Sequence, residues 1–309
     1  MSKGKTASMA EYIIFVLIKS AIFLLPHRLC LTAGAFFGTA LHRFDRKHRH
    51  IALDNLKTAF GNEKTYRDRQ KIAKKFFISF GRMAFDILKF PYLNPQKKIR
   101  LFQVSGQRYL EDALSSGKGA ILFSGHFGTW EFGPVVLSRM GKVKVIARPL
   151  DNPLLERQML HLRRLNGAGV ISKFNAVRPI IRSLTAGEMV AILIDQNILR
   201  SQAVFVDFFN KQAATTPAPA AFHIRTRAPL LPVFCYPASK GGYRLEIGEP
   251  LKIVFSGNHN SDLLKITQLC TKMIEKKIKE KPEYWLWIHQ RWKTRPVEPA
   301  KDKEKGNNV

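Results

Sequence analysis

Acidic residues are in short supply in this chain. Its 309 residues carry 23 Asp and Glu against 51 Lys and Arg, a formal net charge of +28 at pH 7. Such a deficit predicts an anionic partner: nucleic acid, an acidic membrane surface, an acidic protein or a phosphorylated substrate. Nucleic acid ranks below the others. The cations are spread along the whole chain, and no zinc-finger spacing, RNP-like aromatic strand or helix-turn-helix pattern is present. Cysteine is scarce too. Cys30, Cys235 and Cys270 are odd in number and far apart, which argues against a disulfide framework or a metal site and reads as buried thiols in a reducing compartment.

A clean apolar run of about 20 residues is also missing. Residues 9–25 are apolar except for Glu11, Lys19 and Ser20, Pro26 ends them, and residues 29–41 resume with Gly34 and Gly38. Two readings stay open: a single anchor that crosses or enters the bilayer, or an interfacial hairpin lying in one leaflet. No small-residue cleavage site points to a signal peptide. The basic cluster 42–50 follows at once and reads as a juxtamembrane patch for anionic lipid on the cytoplasmic side, or as a solvated basic turn. The chain therefore divides into an anchor with its basic flank (1–45), a catalytic domain (46–298) and a charged, disordered tail (299–309).

What is present is an alternation. Apolar spacing predicts two helices over 51–90, broken at Gly61-Asn62 and closed by Pro91. Strands are expected at 101–104, 119–124, 143–147, 169–172 and 189–194. A short edge strand at 204–206 and an antiparallel pair at 230–236 and 243–247 complete the set. Helices are expected at 109–115, 130–139, 153–166, 179–186, 219–227 and 262–280, the third capped by Asn152 with Pro153 at its first position. The fold class is α/β, a mixed central sheet with helices on both faces, preceded by the membrane-anchoring helical segment.

Ligands of such sheets gather beyond the carboxyl ends of strands. Four predicted strand ends carry polar chemistry: His126, Arg148, Lys173, and Asp195 with Gln196. His126 follows a buried strand and stands five residues before Glu131, so a carboxylate on the far ring nitrogen would fix the tautomer and leave the other as a base. Arg148 suits a phosphate or developing oxyanion, or simply pairs with Asp151. Asp195 suits a sugar hydroxyl, an orienting contact to Arg148, or a loop cap. No GxSxG elbow, Walker A, GxGxxG or HExxH is found. A covalent intermediate has no obvious nucleophile, and direct attack by a substrate hydroxyl fits better. Backbone N–H groups near Phe127 and Gly128 are candidate oxyanion donors if a helix begins there. Phe132, Val135 and residues 76–88 are candidate walls of an apolar groove.

Beyond His126-x4-Glu131, four blocks occur in order: ARPLDNP at 147–153, LIDQN at 193–197, VDFF at 206–209 and PEYWLWIHQRWKTRP at 282–296. Together they resemble the bacterial lipid A late acyltransferases, the lauroyl and myristoyl transferases, over residues 13–296. The resemblance implies an enzyme at the cytoplasmic face of the inner membrane. It would move a fatty acyl chain from acyl carrier protein to the hydroxyl of a 3-hydroxyacyl chain on a lipid A precursor. No cofactor or metal is implied. By position His126 is the general base and Glu131 its orienting partner, with Arg148, Lys173, Asp195 and Gln196 as substrate-binding residues. Alternatives are an acyltransferase for another glycolipid or phospholipid, and a non-catalytic protein bound to anionic membranes. In the last block, Trp285 and Trp287 read as packed on the sheet, and Trp292 is open between core and interface.

Overall fold

The computed structural model describes residues 5–239 and 241–297; the tail predicted at 299–309 lies outside the described residues. Helices come first. α1 (Lys5–Leu24) gives way at Pro26 to α2 (His27–Phe44). Asp45 caps α3 (Arg46–Phe60), its carboxylate accepting from the His48 N–H, and Thr65 caps α4 (Tyr66–Lys89) by accepting from the Asp68 N–H. The expected break at Gly61 is there. After the short α5 (Pro95–Arg100), the chain alternates through β1 (Phe102–Ser105), α6 (Gln107–Ser115), β2 (Ala120–Ser124), α7 (Gly133–Leu137) and β3 (Val143–Ala147). It continues through α8 (Pro153–Leu165), β4 (Ala168–Ser172), α9 (Val177–Thr185) and β5 (Met189–Leu193). A hairpin of β6 (Val204–Phe208) and β7 (Lys211–Thr215) precedes α10 (Ala218–Thr226), β8 (Leu230–Pro237), β9 (Tyr243–Ile247) and α11 (His259–Glu280).

Seven strands make one mixed sheet in the order β1-β9-β8-β2-β5-β3-β4, antiparallel only between β8 and β9. The predicted α/β class stands. β2 is apolar on both faces because both are covered. Ile121 and Phe123 enter one core with α3, α4, α9, α10 and α11, while Ala120 and Leu122 enter a second with α6, α7 and Phe90. From β2 the chain moves outward to β3 and β4, returns with β5, and reaches the far side of β2 with β8. The loops after β2 and β5 thus leave the middle of the sheet side by side, where a crevice forms.

Some local expectations differ. Residues 130–139 are a 3₁₀ turn (Trp130–Phe132) and a five-residue α7, because Gly133-Pro134 restarts the helix. The edge strand at 204 is longer than expected and pairs with β7, whose Lys-Gln-Ala-Ala-Thr carries little strand signal. Phe76 and Phe132 are filled core, 2% and 0% exposed, with Phe132 stacked on Phe90 at 4.4 Å, so they line no open groove.

The first two helices bind the domain differently. α2 packs backbone to backbone on α4 through Gly34, Gly38 and Gly81; a Cβ on Gly38 would lie 2.1 Å from the Phe77 carbonyl oxygen. Residues 6–24 of α1 are long and apolar enough to cross a membrane. Yet the two charged residues that interrupt this run, Glu11 and Lys19, are docked. Lys19 Nζ donates to Gln158 on α8, and Asn152 Nδ2 donates to Ser8 O and to Glu11. The outward faces of both helices are apolar, with Ile13, Ile14, Leu17 and Leu24 on α1 and Leu29, Phe36 and Phe44 on α2 exposed.

Candidate active site

Register builds the centre of the site. Ser124 at the end of β2 pairs with Leu193 at the end of β5, and the Ile194 N–H donates to Ser124 O. Two residues further on, His126 and Asp195 face each other. Nδ1–H of His126 donates to Asp195 Oδ1 at 2.8 Å, and the His126 backbone N–H donates to Oδ2 at 2.8 Å. The indole N–H of Trp285 completes the shell of Oδ2 at 2.7 Å. Burial alone would raise the Asp195 carboxyl. The imidazole, the His126 N–H and the Trp285 N–H outweigh it and hold the group below the ordinary carboxylate range. With Nδ1–H committed to Asp195, Nε2 carries the lone pair and faces outward. There the Gln196 amide nitrogen donates to it at 3.2 Å, and the Trp130 ring stands edge-on at 5.2 Å. The imidazole is partly open, 19% exposed, while the Asp195 side chain is 3% exposed. Such a pair can accept a proton at Nε2 and stabilise the imidazolium that results.

This corrects the partner assigned from the sequence. Glu131 is not on the His126 ring. The chain turns at Gly128 (φ 59°), where a Cβ would meet the Cys235 carbonyl oxygen at 2.5 Å, and runs into the 3₁₀ turn. Glu131 is thereby carried to α8, where Arg163 grips it with two hydrogen bonds of 2.7 and 3.0 Å. Burial works against the Arg163 cation, but Glu131 raises its pKa. That ion pair fastens the turn bearing Trp130, the roof of the imidazole. Of the backbone donors expected near Phe127 and Gly128, that of Gly128 is spent. Its N–H donates to Tyr284 O, and the Thr129 N–H to Cys235 O, both at 2.8 Å; no helix begins there.

Arg148 and Lys173 end strands further along the same rim. Arg148 Nη2 is 2.9 Å from Asp151 Oδ1 in an exposed pair, and Lys173 lies over the Phe174 ring. The structure brings together His126, Asp195 and Gln196, and leaves Glu131, Arg148 and Lys173 with other neighbours. Sequence reasoning missed Arg163, which sits in the last turn of α8 beside Arg164 and reads there as an ordinary helix-end cation.

The C-terminal segment is the second unforeseen part. Trp285, Trp287 and Trp292 are all buried, so Trp292 belongs to the core as well. The segment holds both loops. Leu286 N–H donates to His126 O, and Asn197 N–H donates to His289 Nε2 at 2.7 Å. Thr294 N–H donates to Asn197 Oδ1, and the Asn197 amide to Thr294 Oγ1. Arg291, 1% exposed, donates to Ala214 O at 2.5 Å, to Gln196 O at 3.5 Å and to Thr215 Oγ1. Burial lowers this guanidinium to about 10, with Asp195 pulling the other way. Asn55 on α3 ties the clamp down through the carbonyls of Trp287 and His289. No cluster of three or more His, Cys, Asp or Glu poised to hold a metal occurs among the described residues.

Fold and site define an α/β protein with an imidazole–carboxylate pair at the switch point of its sheet and an apolar helix at its N-terminus. Residues 2–294 match the family profile described as bacterial lipid A biosynthesis acyltransferase. The chain belongs to that family. It is 29% identical over 276 residues to the lipid A biosynthesis palmitoleoyltransferase of Escherichia coli K12, covering 88% of each chain. To the lauroyltransferase of lipid A biosynthesis from the same organism it is 28% identical over 280 residues, again 88% of each. A more distant relative is the phosphatidylinositol mannoside acyltransferase of Mycobacterium tuberculosis (strain H37Rv), 26% identical over 69% of this chain and 68% of the relative.

Proposed function

We propose that the protein transfers a fatty acyl chain from acyl carrier protein to the hydroxyl of a 3-hydroxyacyl chain on a lipid A precursor, at the cytoplasmic face of the inner membrane. The observation that carries this reading is the His126–Asp195 pair at the centre of the rim, with Nε2 turned outward. The acceptor hydroxyl takes the place of the Gln196 amide on Nε2 and gives up its proton there. Its oxygen bonds to the thioester carbonyl carbon, and the C–S bond breaks as the imidazolium returns the proton to the departing thiolate. The displaced Gln196 N–H group is a candidate donor to the oxyanion. No protein nucleophile, metal or cofactor is called for. Asp195 keeps the tautomer and steadies the imidazolium, and the Glu131–Arg163 pair positions the surrounding turn. Arg148 and Lys173 stand further along the rim as cations for the phosphorylated acceptor. A charge of +28 suits an acidic carrier and an anionic membrane lipid alike.

The test is transfer from acyl carrier protein thioesters to purified lipid A precursor, followed by mass spectrometry. His126→Ala should abolish transfer with the far-UV circular dichroism and membrane association unchanged. Asp195→Asn should lower turnover roughly a hundredfold or more. Near-normal turnover by His126→Ala would reject the mechanism. Unchanged lipid A in a deletion strain, with another glycolipid losing an acyl chain, would move the acceptor toward the mannoside-type lipid of the mycobacterial relative.

A further inference from the structure

Away from His126, a cavity of about 440 Å³ opens where the end of α2, the start of α3 and the first half of α4 meet. Its walls are cationic: Arg49 from α3 and Arg67, Lys71 and Lys74 from α4, with the imidazoles of His42 and His50. Leu53 and Tyr66 supply apolar surface. None of its lining residues is acidic. Asp68, outside the lining, is 3.8 Å from Lys71 Nζ in an exposed pair. Arg49 is held in place, its Nη1 donating to His42 O at 2.7 Å and to Arg43 O at 3.2 Å. Burial and the Arg49 and Lys74 cations depress the His42 imidazole pKa, as a concave surface of one sign requires. Half of this cluster was visible in the sequence as the run 42–50. The other half comes from residues 67–74, which only folding brings across from it.

We propose that this cavity binds the phosphate-bearing headgroup of a membrane lipid. Three observations favour that occupant. Four cations converge, Arg49 among them held by two backbone carbonyls, which suits a doubly charged phosphomonoester better than a single-charge ligand. The volume falls in the ~300–1,000 Å³ range of small-molecule sites and exceeds what a bare phosphate fills. And α2, which lines the cavity through His42 near its C-terminal end, exposes Leu29, Phe36 and Phe44 on its other face, so the recess is carried by a helix whose outer surface suits lipid. A cationic recess on such a helix sets its charges within reach of an anionic lipid headgroup. The inference goes beyond the transfer reaction and does not need His126.

The experiment uses the full chain in a non-ionic detergent micelle. Isothermal titration with dihexanoyl phosphatidic acid should show saturable binding. Dihexanoyl phosphatidylcholine, whose phosphate is capped by choline, should bind at least about tenfold more weakly. Inorganic phosphate should compete only at higher concentration; equal affinity for it would make this a free-anion site and overturn the lipid assignment. Arg67→Gln/Lys71→Gln/Lys74→Gln should weaken phosphatidic acid binding at least about tenfold. A charge-matched control at three exposed lysines elsewhere, Lys97→Gln/Lys118→Gln/Lys252→Gln, should bind as the parent does. Equal loss in both triple variants would reduce the cavity to general charge attraction and sink the proposal. So would unaltered lipid binding by the α4 variant combined with a raised KM for the carrier-protein thioester, which would give the surface to an acidic protein. Binding is read without any acyl transfer, so this result and that of His126→Ala are separable.

Discussion

Glu131 shows how a side chain can bear on the surroundings of His126 without touching its ring. It and Arg163 are each about one-sixth exposed (16% and 17%) and paired through two hydrogen bonds. Removing either partner strands the other charge in a poorly hydrated place. Glu131→Gln or Arg163→Gln alone should therefore cost roughly 2–4 kcal/mol of stability. The pair of changes together should cost far less than the sum, since the second removes a charge that no longer has a partner. Urea unfolding of the two single variants and the double variant measures this. Additive losses would mean the two groups act separately. Turnover should fall in all three, because the turn that carries Trp130 over His126 loses its tie to α8.

At the scale of elements, the packing of α2 on α4 sets the geometry of the N-terminal region. The sequence GAFFG at 34–38 leaves no side chain between the two backbones, and Gly81 answers it from α4. Gly38→Leu must push the helices apart, since even the Cβ would sit 2.1 Å from the Phe77 carbonyl oxygen. A loss of about 3 kcal/mol and a thermal midpoint lower by roughly 5–10 °C are expected. Ala40→Leu, on an exposed face of the same helix, should leave the midpoint nearly unchanged, and calorimetry distinguishes the two. Elements were legible in the sequence where period and punctuation agreed. Continuous apolar runs bounded by Gly and polar residues marked β2 and β5, and Asn152-Pro153 marked the start of α8 within one residue. β7 was not legible, because a lone Ala-Ala between polar residues becomes a strand only through its partner β6. Legibility of the site followed the same division. His126 and Asp195 announced themselves as polar ends of apolar strands, but their pairing depends on β5 lying beside β2. That adjacency is a property of strand order, and no local spacing encodes it. The nearer acid in sequence, Glu131, is carried away by the turn at Gly128. The clamp by Trp285, His289 and Thr294 was illegible for a related reason: its partners lie some 90 residues or more earlier in the chain.

For the whole molecule the governing quantity is charge. An excess of +28 raises the local concentration of anions over a distance set by salt, about 10 Å at 0.1 M and shorter above it. If the acyl donor arrives on an acidic carrier, long-range attraction contributes to encounter, and kcat/KM should fall steeply as salt rises. Raising sodium chloride from about 50 mM to about 300 mM should lower kcat/KM for the carrier-bound donor roughly tenfold or more, chiefly through KM. The same acyl chain on a pantetheine thioester, which keeps the reacting bond and discards the acidic protein, should show a much weaker dependence. The ratio of the two slopes isolates the carrier from the acceptor, because the acceptor and its phosphates are common to both assays. Parallel slopes would mean that the cations serve the membrane and acceptor alone, and that the donor is chosen by contacts at the rim around His126 and not by charge at a distance.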